Sequence, residues 1–136
     1  MKKNKEICIV VANYYPKISN NLINGASKML RLNGIKNLKI IKVPGILEIP
    51  FVISKNISKF KAFIALGCVI KGETPHFEFI SISTINALTN LSVKHKKPIG
   101  NGIITSLNKK QAIDRSSIKR NKGKESAKAI LSLLKI

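Results

Sequence analysis

The segment that most constrains the fold is residues 62–79. Its first half, Ala62–Ile70, is a nearly unbroken apolar run, which is typical of a central strand buried on both faces of a parallel sheet. Thr74 and Pro75 then suit the N-cap and the first residue of a helix, and apolar side chains recur beyond them at helical spacing. The segment therefore predicts a strand, a short turn and a helix in direct succession.

The turn between that strand and helix, residues 71–74, has features of an anion site. Backbone N–H groups without partners, together with a helix N-terminus, attract negative charge, and Lys71 adds a cation. His76 follows in the first helical turn, and histidine is the side chain that exchanges protons near neutral pH. The turn is thus a candidate phosphate site beside a candidate proton-transfer group. The alternative interpretation is a plain connector.

The remaining chain alternates strand-like and helix-like segments. Strands are predicted at residues 6–12, 38–43 and 98–105. Helices are predicted at residues 17–33, across 49–57, at 108–115 and over the last segment, with a basic loop at 93–97. This order predicts one α/β domain over residues 1–136. It favours a three-layer α/β/α arrangement that resembles the flavodoxin-like fold, with a four-stranded parallel sheet and helices on both faces.

The net charge of +19 is the most unusual property of the composition. Nucleic-acid binding would account for it, but the lysines are spread over the whole chain. Aromatic residues make up 5% and do not alternate with basic ones, as they would in an RNA-binding sheet. A solvated surface combined with compositional bias is the favoured explanation, so no nucleic-acid partner is expected.

Several features bear on cellular location. No apolar run is long enough to span a bilayer, so no membrane association is expected. The basic N-terminus lacks a cleavage pattern after its short apolar run, so no signal peptide is predicted and the cytoplasm is the default location. Cys8 and Cys68 lie in strand-like runs, which predicts two small buried residues, not a disulfide or a metal pair.

The residues that are hardest to explain as packing follow the predicted strands. Asn13 and Tyr14 follow the first, residues 44–48 the second, residues 71–76 the third, and Thr105 begins the segment after the fourth. Ligands of open parallel sheets bind beyond the carboxyl ends of the strands. These segments therefore predict a site at one edge of the sheet.

Four motifs resemble those of the lumazine synthase (6,7-dimethyl-8-ribityllumazine synthase) family. They are GCVIKGETPHF at 67–77, VPGILEIP at 43–50, PIGNG at 98–102, and residues 108–115 with the following Asn121, Lys122 and Gly123. The family makes the penultimate intermediate of riboflavin biosynthesis. The resemblance implies a transferase that condenses 5-amino-6-(D-ribitylamino)uracil with 3,4-dihydroxy-2-butanone 4-phosphate, releasing phosphate and water. It implies no metal and no organic cofactor, and the sequence offers no metal-ligand cluster.

The resemblance also implies roles for individual residues. The catalytic proton-transfer residue is His76. The residues implied to bind ribitylaminouracil are Tyr14, Ile46, Leu47, Glu48, Val69, Ile70, Lys71 and Asn101. Those implied to bind phosphate are Gly72, Glu73, Thr74, Arg115 and Lys119. Ile46 and Leu47 stand where the family commonly has alanine and an aromatic residue, and Asn101 stands where phenylalanine is common.

Structural alternatives exist for three of these residues. Tyr14 could pack on the following helix, and Glu48 could be a carboxylate favoured by a helix dipole. Arg115 could pair with Asp114 at the surface. A different function is also open, since a non-catalytic oligomer that carries flavin or lumazine would use the same pocket.

The resemblance further implies a homo-oligomer with active sites at subunit interfaces. The turns after the first three strands would come from one subunit, and the segments of Asn101 and Arg115 from its neighbour. Because little sequence precedes the first strand, a pentamer or decamer is expected in place of a sixty-subunit capsid. Riboflavin synthase, from the same pathway, is a candidate partner.

Overall fold

The computed structural model describes residues 6–136, in which strands and helices alternate. The elements are β1 (Ile7–Ala12), α1 (Pro16–Leu32), β2 (Leu38–Val43), a 3-10 turn (Ile46–Glu48), α2 (Ile49–Lys55), β3 (Ala62–Ile70), α3 (His76–His95), β4 (Ile99–Ser106), α4 (Lys109–Arg115) and α5 (Lys122–Leu134). The basic N-terminus, on which the signal-peptide prediction depends, lies outside the described residues. Among residues 6–136, no helix has the length and apolar character needed to cross a membrane.

The four strands form one parallel sheet in the order β2-β1-β3-β4. β1 and β3 lie in the middle, and every residue from Ile7 to Ala12 and from Ala62 to Val69 is buried. This placement explains why both strands are apolar at every position, since each face is covered. The predicted four-stranded parallel sheet is confirmed.

Helices cover both faces of the sheet, which confirms the three-layer α/β/α architecture. On one face, alternate residues of β1 such as Ile9 and Val11 pack with Leu22 of α1 and Ile130 of α5. On the other face, Cys8 and Val10 belong to a second cluster, whose members from the covering elements include Ile49, Ile53 and Leu88. The side-chain period of two along a strand thus divides one apolar run between two cores.

The ends of α3 differ from the prediction. The helix begins at His76, with Pro75 at the N-cap position, and the Thr74 hydroxyl accepts a hydrogen bond from the His76 N–H at 3.4 Å. At the other end, α3 continues to His95, so the basic loop predicted at 93–97 is wrong. Lys96 ends the helix in the left-handed region with φ 53°. Basic residues before it are compatible with a helix C-terminus, because they interact favourably with the exposed carbonyl groups.

Two glycines in β4 allow α5 to lie directly on the sheet. A Cβ atom at Gly100 would stand 2.7 Å from the backbone oxygen of Ser126, and one at Gly102 would stand 2.9 Å from the Ser126 hydroxyl. A backbone oxygen inside a helix cannot move away without displacing the helix. The position of α5, and of the connector that leads into it, therefore depends on the missing side chain at Gly100.

We expect Gly100→Ala to lower the free energy of unfolding by about 1–3 kcal/mol, as overpacking does in other cores. Gly72→Ala is the matched control, because a Cβ at Gly72 meets no atom within 4 Å among the described residues. It should change stability by no more than about 0.5 kcal/mol. Denaturant unfolding of both variants at equal protein concentration measures the difference. Equal losses would contradict the close approach of α5.

Candidate active site

A cleft of about 320 Å³ opens at the carboxyl edge of the sheet. The ends of β1 and β3, the 3-10 turn after β2 and the start of α3 form its walls. Its lining comprises Ala12, Tyr14, Tyr15, Gly45, Ile46, Leu47, Glu48, Cys68, Val69, Ile70, His76 and Ile80. The structure thus brings together seven of the residues proposed from the sequence: Tyr14, Ile46, Leu47, Glu48, Val69, Ile70 and His76.

Tyr14 presents an aromatic ring at the mouth of the cleft. The Asn13 N–H donates to the Val43 carbonyl at 2.9 Å, which extends the pairing of β1 with β2 by one residue before the chain turns. The Tyr14 ring meets the Tyr15 ring edge-on, with centroids 4.9 Å apart and planes at 77°, and Tyr14 remains 72% exposed. An edge contact leaves the ring face available for stacking on a flat ligand.

Glu48 is anchored through one carboxylate oxygen. The Gly45 N–H donates to Glu48 Oε1 at 2.9 Å, and the carboxylate has no cation within salt-bridge distance among residues 6–136. Its other oxygen accepts no hydrogen bond from the described protein. A fixed carboxylate with a free oxygen is a strong acceptor for the hydroxyl groups of a polyol.

The turn at 71–74 lies at the rim, between Ile70 and His76 of the cleft lining. The Lys71 N–H donates to the Ser106 carbonyl at 2.9 Å, so β3 and β4 stay paired up to the point where the turn begins. Within the described part of the chain, the N–H groups of Gly72, Glu73 and Thr74 have no acceptor. These exposed donors precede the N-terminus of α3, which is the geometry of an anion site.

The side chains of Lys71 and His76 flank this turn. Lys71 Nζ lies 3.8 Å from Glu78 Oε1, but both side chains are nearly half exposed, so the pair is weak and Lys71 remains available to an anion. The exposed imidazole of His76 lines the cleft and makes no side-chain hydrogen bond to residues 6–136. It is free to bond to a ligand held between the turn and the cleft.

Five residues of the cleft lining had no predicted role, although Gly45 and Cys68 lie within two of the four motifs: Ala12, Tyr15, Gly45, Cys68 and Ile80. Burial raises the pKa of Cys68 to about 11, so its thiol stays protonated and forms part of an apolar wall. Burial is also the largest cause that raises the pKa of the Tyr15 phenol. Cys68 is next to Val69 and Tyr15 is next to Tyr14, and this adjacency was the signal that could have identified both residues. At a strand end, neighbouring residues can line the same opening. Both cysteines are free and buried.

Arg115 and Lys119 lie elsewhere, in a basic hollow of about 390 Å³ beside β4, α5 and the connector before it. The Arg115 guanidinium makes one long hydrogen bond, from Nη1 to the Thr105 carbonyl at 3.4 Å. Asp114 pairs with Arg120 at 2.8 Å, so the alternative pairing of Arg115 with Asp114 is wrong. Arg115 therefore keeps most of its donors for a ligand.

The basic hollow contains further charged residues that had no predicted role: Arg120, Lys122, Lys124, Glu125 and Lys128. Among residues 6–136, no group of three or more His, Cys, Asp and Glu side chains could hold a metal ion.

Asn121 fixes the connector that follows Arg115. Its Nδ2 donates to the carbonyl groups of Asn21 in α1 and Ser116, at 2.9 and 3.1 Å. Its Oδ1 accepts from the Lys124 N–H at 3.0 Å, which caps α5. One buried side chain thus joins α1, the connector and α5, and Gly25 of α1 has no Cβ because Asn121 occupies that space.

Asn101 stands apart from both the cleft and the basic hollow. It is exposed on β4, an edge strand, and lines a shallow depression of about 240 Å³ against α3. A single chain therefore separates the proposed site residues into three places, with Asn101 in one, Arg115 and Lys119 in another, and the cleft in the third.

Comparison with known proteins gives one consistent result. A family model described as 6,7-dimethyl-8-ribityllumazine synthase matches residues 4–136. The 6,7-dimethyl-8-ribityllumazine synthase of Buchnera aphidicola subsp. Baizongia pistaciae is 42% identical, with 99% of this chain and 89% of the relative covered. Proteins of the same name from Renibacterium salmoninarum and Bartonella bacilliformis are 36% and 42% identical, covering 95% and 96% of this chain and 87% and 89% of those relatives.

The chain belongs to the lumazine synthase family. This confirms the resemblance found in the four motifs, and with it the predicted class of enzyme, a transferase of riboflavin biosynthesis.

The residues that differ from common lumazine synthase residues occupy distinct positions. Ile46 is buried against β3, where a Cβ atom added at Gly67 would stand 2.9 Å from the Cγ2 atom of Ile46. Leu47 is half exposed at the cleft. Ile46 thus belongs to the packing beneath the cleft, whereas Leu47 and Asn101 face outward where a ligand or another chain can reach them.

Proposed function

We propose that this chain condenses 5-amino-6-(D-ribitylamino)uracil with 3,4-dihydroxy-2-butanone 4-phosphate to give 6,7-dimethyl-8-ribityllumazine, phosphate and water. The observation that carries the proposal is the cleft itself. In a member of the lumazine synthase family, this cleft combines the Tyr14 ring, the anchored Glu48 carboxylate and the His76 imidazole. It lies next to a turn whose three N–H groups have no acceptor among residues 6–136.

The cleft residues supply the pyrimidine site in this proposal. The Tyr14 ring stacks on the pyrimidine, and Glu48 accepts hydrogen bonds from ribityl hydroxyl groups. The remaining contacts come from Ile46, Leu47, Val69, Ile70 and Lys71, with Asn101 from another subunit.

The phosphate is held by two sets of donors. The backbone of Gly72, Glu73 and Thr74 offers N–H groups at the start of α3, so the contribution of Glu73 is its amide and not its carboxylate. Arg115 and Lys119 add two cations, and the guanidinium fork suits a phosphate better than an ammonium group does. These charges also stabilise the phosphate as it leaves.

The reaction then proceeds by positioning and proton transfer. The 5-amino nitrogen attacks the ketone carbon, and loss of water gives an imine. A proton leaves the neighbouring carbon as the C–O bond to phosphate breaks, and tautomerisation produces a second carbonyl group. The ribitylamino nitrogen attacks that carbonyl, and loss of water closes the ring. His76 moves the protons, and holding both substrates together supplies much of the acceleration.

The proposed active enzyme is a homo-oligomer, with a ring of five in preference to a larger shell. Two observations support shared sites. Arg115 and Asn101 lie outside the cleft of their own chain. Large apolar side chains on and around α3 are exposed by 60% or more, namely Phe51, Phe79, Ile82 and Val93, which is typical of a surface that another chain covers. The cytoplasm is the proposed location, and riboflavin synthase is a candidate partner.

The phosphate role predicts a loss of activity on substitution of Arg115. Arg115→Ala should lower kcat/KM for the phosphate substrate on the order of 100-fold, because a charged donor to the departing group is lost. Fluorescence of the lumazine product follows the reaction. Arg31→Ala is the matched control, since Arg31 is an exposed arginine at the end of α1 that lines neither the cleft nor the basic hollow. Equal activity of the two variants would contradict the phosphate role.

Substitution of His76 distinguishes an enzyme from a carrier. His76→Ala should bind the pyrimidine substrate as the wild type does and lower kcat on the order of 100-fold. The chain has one other histidine, His95, at the end of α3, and His95→Ala serves as control. Calorimetry measures binding and product fluorescence measures turnover. A wild-type protein that binds the pyrimidine but makes no lumazine would favour the carrier function.

A further inference from the structure

The basic hollow concentrates positive charge in a small space. Like charges repel one another, so repulsion favours a more open arrangement of this part of the chain. The connector of residues 116–120 contributes two of the cations, and Arg115 directly precedes it. The charged side chains that line the hollow are six cations and one carboxylate: Arg115, Lys119, Arg120, Lys122, Lys124, Lys128 and Glu125. They stay together only if the backbone that carries them is held in place.

Ion pairs hold little of this arrangement. Among residues 6–136, the cations of the hollow make one salt bridge, between Arg120 and Asp114, and both of these side chains are largely exposed. Exposed pairs of this kind contribute little to stability. Arg115 itself makes only the long hydrogen bond to the Thr105 carbonyl. The position of the connector therefore depends on a different interaction.

The buried amide of Asn121 supplies that interaction. Its Nδ2 atom carries two hydrogens, which go to the carbonyl of Ser116 at 3.1 Å and to the carbonyl of Asn21 in α1 at 2.9 Å. The first bond closes residues 116–121 into a loop, and the second anchors that loop on α1. Both ends of the connector are thus fixed, immediately after Arg115.

The space around Asn121 admits this side chain and little more. A Cβ atom added at Gly123 would stand 3.0 Å from Asn121 Oδ1, and one added at Gly25 would overlap the Asn121 side chain. Oδ1 also accepts the Lys124 N–H, so the amide uses its acceptor as well as both donors. A buried polar group with all its partners holds one orientation, and Asn121 is therefore a rigid support for the connector.

We propose that Asn121 is a positioning residue for the butanone phosphate, acting through the connector to hold Arg115 and Lys119 where they bind the phosphate group. The inference rests on the proposed function, in which these two cations bind that group. A binding group displaced by about 1 Å can cost on the order of 100-fold in rate. Loss of the Asn121 hydrogen bonds should thus affect the phosphate substrate and spare the pyrimidine, because other elements form the cleft.

Asn121→Ser removes both donors, adds no charge and keeps a hydroxyl group that can cap α5. We expect KM for the butanone phosphate to rise on the order of tenfold, with KM for the pyrimidine unchanged. Calorimetry with inorganic phosphate should show affinity weakened by a similar factor, independently of turnover. A purely structural role would lower stability without this difference between the two substrates.

Asn56→Ser is the matched control. Asn56 Nδ2 donates to the Val52 carbonyl at 2.8 Å at the end of α2, and Asn56 lines neither the cleft nor the basic hollow. This variant loses the same kind of hydrogen bond at a distant place. It should leave both KM values and the affinity for inorganic phosphate unchanged.

Gly25→Ala is a second route to the same displacement, because the added methyl group takes the space of the Asn121 side chain. It should also raise KM for the butanone phosphate alone, and it carries the test if Asn121→Ser does not fold. Unchanged phosphate affinity in a folded variant, or a parallel rise in both KM values, would overturn the inference. A wild type that makes no lumazine would overturn the proposed function, whereas an active wild type with unaffected variants overturns only the role of Asn121.

Discussion

The double pairing of β3 is the constraint on which the rest of the structure depends. β3 pairs with β1 on one side and β4 on the other, and helices cover both of its faces. A strand in that position cannot slip in register, because a shift of one residue would move each side chain into the opposite core. The end of β3 is therefore fixed, and so are the turn at 71–74 and His76 that follow it.

The same sheet explains why the site residues are divided. Tyr14, Glu48 and His76 follow β1, β2 and β3, which are adjacent, so their side chains surround one cleft. Arg115 follows β4 but points into a hollow against α5, where Asn121 holds the connector. The cleft therefore opens on one surface of the chain and the basic hollow on another. Association of identical chains would bring the two together.

Much of the architecture could be predicted from the sequence because apolar runs and glycine-proline turns are local signals. β3 was predicted at its observed bounds, and the resemblance of the motifs identified the family. The end of α3 was not predictable from its basic composition, because lysine and histidine are as compatible with a final helical turn as with a loop. The helix ends where Lys96 adopts the left-handed backbone conformation, and a lysine in the sequence does not indicate that conformation.

The partners of long side chains were also beyond sequence analysis. Asp114 is adjacent to Arg115 in sequence, yet it pairs with Arg120, because α4 ends and the connector turns back between them. The orientation of the Asn101 amide depends on the hydrogen bond from the Ile103 N–H, which forms only in the folded strand. Such choices depend on the folded backbone and cannot be read from residue types.

The most direct test of the account is complementation between two inactive variants. His76→Ala lacks the proposed proton-transfer group of the cleft, and Arg115→Ala lacks the proposed phosphate-binding guanidinium of the basic hollow. Each site is proposed to combine the cleft of one chain with the basic hollow of another. Unfolding and refolding the two variants together should then restore about a quarter of wild-type activity, because random mixing in a ring rebuilds that share of intact sites. Each variant refolded alone should keep only about 1% of wild-type activity, as a loss on the order of 100-fold implies. No recovery from mixed oligomers, with co-assembly verified by mass, would contradict the shared site.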